Sequence, residues 1–249
     1  MKVAIITGAS TGIGAALARE LGKRGWAVGL VARRLDLLEQ VAADIRAAGG
    51  SAAAATADVT ARDQVEAAVT ALEAALGPCD LLVANAGAGG PASAKKVPIE
   101  AAISQMRLNY EGVVYATGAV LPGMLERRSG HLAVVSSLAA HRGVPGSGPY
   151  CASKAAVSTL YESFRLDLAG TGIAVTTVHP GFVTTPLTER LRQPMPFVMS
   201  AERAAVIIAD GLERRRLDIS FPWQTATLMN VMRVVPGPLW AWLIRGRAT

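Results

Sequence analysis

Seven apolar runs of strand length punctuate the chain, at Val3–Thr7, Ala27–Val31, Ser51–Thr56, Asp80–Ala84, His131–Ser136, Ile173–Val178 and Leu217–Phe221. Between them, apolar positions recur at the spacing of amphipathic helices. The strand runs are apolar at successive rather than alternate positions, the pattern of strands covered on both faces. Such alternation predicts an α/β fold: a doubly wound parallel sheet of about seven strands with helices on both faces. One run is ambiguous, because Ala52–Ala55 has the composition of a helix; its place in the alternation assigns it to the third strand. No repeat, linker or low-complexity stretch intervenes, so residues 1–249 are expected to form a single domain.

Two stretches break the alternation, Ala88–Pro98 and Phe182–Ser200, the second carrying Pro186, Pro194 and Pro196. Both follow strands. In open α/β sheets ligands bind beyond the carboxyl ends of the strands, so these loops are expected to wall a site, with a substrate loop at about 182–200.

The first strand runs into Thr7-Gly8-Ala9-Ser10-Thr11-Gly12-Ile13-Gly14, with a helix expected near Ile13. Glycines there permit a tight turn and let backbone N–H groups approach a phosphate. The spacing G-x-x-x-G-x-G departs from the commoner G-x-G-x-x-G, and alone it would also suit an ordinary strand-to-helix turn. Further along stand Ser137, Tyr150 and Lys154. Tyr150 and Lys154 are four apart in a helical segment and therefore share a face. An ammonium about 6 Å from a phenol, at an effective dielectric of ~20, favours phenolate by on the order of 3 kcal/mol, with desolvation opposing. The pair is thus expected to bring the phenol toward neutral pH. Taken singly, a serine, an asparagine or a tyrosine is more often a cap or a core residue; it is the set that carries chemistry.

These residues resemble the short-chain dehydrogenase/reductase family, in its common single-domain form, along almost the whole chain. The resemblance implies a Rossmann-like fold in which Gly8, Ser10, Thr11, Gly12, Ile13 and Gly14 form the cofactor loop. It places Asp58 and Val59 on the adenine side, Asn85, Ala86 and Gly87 in the strand-four motif, and Pro180, Gly181, Val183 and Thr185 beside the nicotinamide. Asn109, Ser137, Tyr150 and Lys154 match the four catalytic positions. The implied activity is that of an oxidoreductase moving hydride between nicotinamide and a carbonyl or alcohol. Tyr150 delivers the proton, Lys154 also holds the nicotinamide ribose, Ser137 donates to the substrate oxygen, and Asn109 supports a proton-relaying water. At the end of the second strand, Val31-Ala32-Arg33-Arg34 offers no carboxylate for a ribose hydroxyl. Guanidinium groups suit a phosphate, so Arg33 and Arg34 predict NADP(H) in preference to NAD(H). Asp36 reads as a surface or helix-start residue. The family frequently forms homodimers or homotetramers through the helices containing Asn109 and Tyr150. The competing readings are a catalytically silent dinucleotide-binding regulator and a peripheral membrane protein acting through its tail.

Leu138, Val144, Phe182, Leu187, Leu191, Met195 and Phe197 lie in the segments expected to wall the substrate cleft, and favour a hydrophobic ketone or aldehyde over a sugar or acid. The tail, about 225–249, carries Leu228, Val231, Met232 and Val235 at helical spacing, then Leu239-Trp240-Ala241-Trp242-Leu243-Ile244-Arg245 after Pro236-Gly237-Pro238. That run is far short of the ~20 residues needed to span a bilayer. Trp beside Arg suits a membrane surface, but packing over the cleft or against another subunit is the favoured reading.

Composition narrows the partners. The chain has 25 Lys and Arg against 19 Asp and Glu, a net charge of +6, with an isoelectric point near 9.7 and positive mean hydropathy. The basic residues are scattered in short clusters without interleaved aromatics, so no nucleic-acid partner is expected. Cys79 and Cys151 are the two cysteines. They form no CxxC or Cys/His pattern, so neither a disulfide framework nor a metal site is expected. Cys151, His131, His141 and His179 read as packing residues rather than catalytic ones. The chain enters a strand directly after Met1-Lys2, and a cytoplasmic location is expected.

Overall fold

The seven apolar runs pair into one parallel sheet in the computed structural model, which describes residues 1–90, 92–95, 98–189 and 195–244. The strands are β1 (Val3–Thr7), β2 (Ala27–Ala32), β3 (Ser51–Thr56), β4 (Leu81–Ala84), β5 (Gly130–Val135), β6 (Ile173–Pro180) and β7 (Asp218–Phe221), in the order β3-β2-β1-β4-β5-β6-β7. Every residue of β1, β2, β4 and β5 is buried, as their unbroken apolar runs require. The edge strands β3 and β7 are only partly buried. The alanine run is a strand because Ala52 to Ala55 pair in register with Val28 to Val31. β6 continues two residues beyond its apolar run because His179 and Pro180 pair with Ser220 and Phe221 of β7.

Successive side chains of a strand enter opposite layers. Ala4 and Ile6 pack in the layer containing α1 (Gly12–Lys23), α2 (Leu35–Ala47) and α7 (Ala201–Glu213), through Leu17, Leu38 and Ile208 among others. Val3 and Ile5 pack in the other layer with α3 (Arg62–Leu76), α5 (Gly112–Arg127) and α6 (Gly148–Asp167), through Leu72, Val120 and Tyr161. Ile5 and Ile6 are both fully buried, each burial contributing roughly 1.5–3 kcal/mol.

β1 lies between β2 and β4, so the chain reverses its direction of travel across the sheet at this point. Loops on either side diverge there and open a crevice above the carboxyl ends of the strands. Two further features bear on that crevice. α4 (Ile99–Met106) passes into α5 through a π-helical turn at Arg107–Glu111, and such turns frequently accompany functional sites. After β7 come α8 (Trp223–Val234) and α9 (Gly237–Ile244).

Candidate active site

A cavity of about 490 Å³ occupies the crevice. One end is the glycine loop, where Gly8 has φ 67°, a left-handed value that favours glycine. A side chain at Gly14 would place its Cβ 2.4 Å from the Gly8 carbonyl oxygen, so the turn closes only with glycine there. α1 starts from this loop with an extended Thr11, no side-chain cap and no acidic residue in its first turn. Its N-terminal N–H groups therefore face the cavity end free for an anion. The loop is stitched to β4: Thr7 Oγ1 accepts from the backbone N–H groups of Asn85 and Ala86, both at 3.1 Å, and Asn85 Nδ2 donates to the Thr7 carbonyl at 3.0 Å.

Gly8, Ser10, Thr11, Gly12, Ile13, Arg33, Arg34, Asp58, Val59, Asn85, Ala86, Gly87, Ser137, Tyr150, Lys154, Pro180, Gly181, Val183 and Thr185 all line this cavity. Gly14 stands behind the lining as the packing residue of the turn. Arg34 reaches from the end of β2 to the hydroxyls of Ser10 and Thr11, at 3.3 and 3.4 Å. Arg33 lies 3.7 Å from Asp58 and is largely exposed, a pairing of small energetic weight. Asp58 is held below the usual carboxylate range chiefly by the backbone N–H of Thr60. Asp36 sits in the first turn of α2, as its sequence position indicated.

At the other end stand the groups capable of proton chemistry. α6 opens with Pro149, whose fixed φ suits a first turn, and this puts Tyr150 and Lys154 one turn apart on the cavity wall. Lys154 is only 5% exposed; its Nζ donates to the Val135 carbonyl at 2.8 Å and lies 6.0 Å from the centre of the Tyr150 ring. Burial pushes the ammonium down to about 8. The phenol departs from expectation: burial raises it, with the Ser137 hydroxyl opposing in part. The direction anticipated from charge proximity is thus reversed, because removing a phenolate from water outweighs the hydrogen bond from Ser137. Ser137 Oγ accepts from the Ala139 N–H at 3.1 Å and lies 3.5 Å from the Pro180 carbonyl.

Asn109, in the π-helical turn, is fully buried. Its Oδ1 accepts from the Ala88 N–H, and its Nδ2 donates to the Ala88 carbonyl and to Ser153 Oγ, each at 2.8 Å. Ser153 in turn donates to the Tyr150 carbonyl at 2.9 Å. Asn109 thereby joins the loop after β4 to the first turn of α6. Ser153 was not singled out from the sequence, and its place in the Tyr150–Lys154 segment was its signal; Thr7 was read as the start of the glycine-loop motif but not as the residue that ties that loop to β4.

A second cavity, of about 180 Å³, adjoins at Ser137 and Tyr150. Leu138, Val144, Phe182 and Leu187 line it, joined by Thr225 and Met229 of α8. The tail was read as packing over the cleft or against another subunit, and these two positions were not among the pocket residues named from the sequence. Met195 and Phe197 line neither cavity, and Phe197 is 58% exposed. Phe182 and Thr184 pair with Met199 at the base of the loop, and the cleft is lined from the outgoing limb, by Phe182 and Leu187, rather than from the returning residues Met195 and Phe197. Leu191 lies outside the described residues. Cys151 is buried and its thiol is raised by desolvation, while His131 is buried against Thr176 Oγ1 and pushed down to about 4. Among the described residues no group of His, Cys, Asp and Glu is arranged to hold a metal ion.

Residues 2–196 match the family model described as short chain dehydrogenase. The chain belongs to the short-chain dehydrogenase/reductase family. An uncharacterised oxidoreductase of Myxococcus xanthus is 43% identical over 238 residues, covering 96% of this chain and 94% of that protein. A short-chain dehydrogenase/reductase from Burkholderia phymatum, solved in complex with NAD, aligns with a TM-score of 0.84 at 27% identity, over 93% of this chain and 91% of the other. A variant of actinorhodin polyketide ketoreductase, solved with NADPH, gives 0.83 at 30% identity, over 90% and 97%. This short-chain dehydrogenase/reductase is accordingly an oxidoreductase with the fold and size of its family.

Proposed function

We propose that this enzyme reduces an apolar ketone or aldehyde, or oxidises the matching alcohol, using NADPH in preference to NADH. The observation that carries the reading is the junction of the two cavities at Ser137 and Tyr150, one of evenly mixed polar and apolar lining that includes the glycine loop, the other mainly apolar. The larger cavity fits a dinucleotide. Its uncapped helix N-terminus suits a pyrophosphate, and it reaches from there to Lys154. When bound, the nicotinamide supplies or accepts the hydride exchanged with the substrate's carbonyl carbon.

The chain's own residues handle the oxygen. Because burial keeps the Tyr150 phenol protonated at neutral pH, Tyr150 acts as the acid toward a developing alkoxide. Ser137 accepts from Ala139 and turns its own proton outward, replacing the long contact to Pro180 with one to the substrate oxygen. At about 8, Lys154 remains mainly an ammonium at neutral pH and stabilises negative charge on the phenol. Asn109 holds the loop and the Tyr150 turn at their working separation. With the cleft residues of this reductase assembled around one junction, a silent dinucleotide-binding role is the weaker reading.

The preference for NADPH rests on Arg33 and Arg34 at the end of β2, with the Ser10 and Thr11 hydroxyls beside Arg34 and no carboxylate in the strand's last turn. The test is oxidation of NADPH and NADH over a panel of ketones and aldehydes graded in size and charge. The expected result is NADPH-linked turnover rising with the apolar character of the substrate. A strong NADH preference overturns the role given to the arginines, and activity confined to small charged substrates overturns the pocket assignment.

A further inference from the structure

α8 has two apolar faces. Met229 and Thr225 line the smaller cavity and Ala226 is buried, whereas Trp223, Val231 and Val234 point outward. Those positions, with Thr227, follow one another at the spacing of a single helical stripe. Trp223 is 72% and Val234 80% exposed. Leu239 and Trp242 of α9 add to the same exposed apolar set, Trp242 at 65%. This is not a loose tail. Trp240 Nε1 donates to the Gly143 carbonyl at 3.3 Å, the Arg142 guanidinium lies 5.7 Å from the Trp240 ring, and Arg142 also donates to the Val235 carbonyl. α8 and α9 are thus fastened to the loop preceding α6 while presenting large apolar side chains to solvent, a pattern that marks an interaction surface.

Charge distinguishes the partner. From Ile219 to Thr249 the chain contains no Asp or Glu, and its charged residues are Arg233, Arg245 and Arg247. The whole chain carries +6. Arg233 is exposed on α8, and a second copy of this acid-free segment offers it no counter-charge, whereas an anionic lipid surface does. Trp residues favour the depth of the headgroups, and among the described residues no helix is long and apolar enough to cross a membrane. We infer that α8 and α9 seat the enzyme on an anionic bilayer surface, with the helices lying along the interface.

The experiment is co-sedimentation of the full chain with vesicles of phosphatidylcholine alone and with vesicles of equal parts phosphatidylcholine and phosphatidylglycerol, with solution mass measured by light scattering. The expected result is binding to the anionic vesicles that weakens with salt and falls about tenfold or more in a Val231→Asp/Val234→Asp variant. Those positions line neither cavity, so turnover of a water-soluble ketone should be unchanged. Trp242→Ser supplies an independent reduction should the double variant fold poorly. Absence of sedimentation overturns the inference, as does binding that survives all three substitutions. Failure to sediment combined with a halving of mass in the variants overturns it in favour of a second copy on this face. Since the vesicle readout uses no turnover, it stands or falls separately from the proposed reaction, and Tyr150→Phe should bind vesicles like the parent.

Discussion

Replacing Lys154 by methionine should make the enzyme more stable while removing its activity. The ammonium is 5% exposed and, as the largest influence on it, desolvation moves its pKa from the usual 10.5 to about 8. That displacement corresponds to about 3 kcal/mol of unfavourable charge burial at neutral pH. Methionine of similar length removes the charge but leaves the Val135 carbonyl, now bonded at 2.8 Å, without its donor, a cost of about 1 kcal/mol. The net gain is about 2 kcal/mol, or roughly 4–8 °C in Tm for a chain of this size. The pH signature is equally specific. Below pH 8 both the folded and unfolded chain hold the lysine proton, so the burden is fully present. Between 8 and 10.5 the unfolded chain binds more protons, and stability should rise with pH by the same 3 kcal/mol or so. Cys79 works in the opposite sense from about pH 9 upward, since burial raises its thiol from 9.0 to about 12 and the unfolded state releases its proton first. The difference between parent and Lys154→Met cancels that background. Urea unfolding of both proteins without cofactor, from pH 7 to 10, measures it. A variant less stable than the parent at pH 7, or a difference that does not shrink above pH 8, would refute the picture of an uncompensated buried ammonium.

Other expectations follow from the same geometry. Tyr150→Phe keeps the ring that packs against Gly89 but lacks the proton, so kcat should fall by roughly a hundredfold or more; NADPH affinity, read by fluorescence titration, should hardly change. Asn109→Ala strands the Ala88 peptide and the Ser153 hydroxyl, which should cost about 3 kcal/mol or more of stability by urea unfolding and lower turnover together with it. Gly14→Ala places a Cβ 2.4 Å from the Gly8 carbonyl and 2.5 Å from Asn85 Nδ2. The loop must shift, and NADPH binding should weaken about tenfold or more, with little effect on Tyr150.

The readable parts of this chain are those decided by near neighbours in sequence. Strands covered on both faces must be apolar at every position, so β1, β2, β4 and β5 announce themselves. A glycine loop requires its glycines, and two residues one helical turn apart must share a face wherever the helix lies. The smaller cavity was only partly readable. Leu138 and Phe182 flank strand ends, but Met229 reaches the same cavity because α8 folds back from β7, and no local pattern tells which of its residues will face inward. Phe197 differs for the mirror reason: it lies in the same loop as Phe182 and Leu187, but its side chain stands in solvent, which no local pattern announces.

Electrostatics shows the same division. Spacing determines that a phenol and an ammonium lie close, but the sign of each shift depends on how much water the surrounding layers exclude, which is a property of the closed fold. Sequence therefore specified the parallel sheet, the glycine turn and the closeness of Tyr150 and Lys154, all consequences of backbone geometry over a few residues. Tertiary packing decided their protonation, the shape of the apolar pocket and which face of α8 remained outside, because each arises from contacts between segments far apart along the chain.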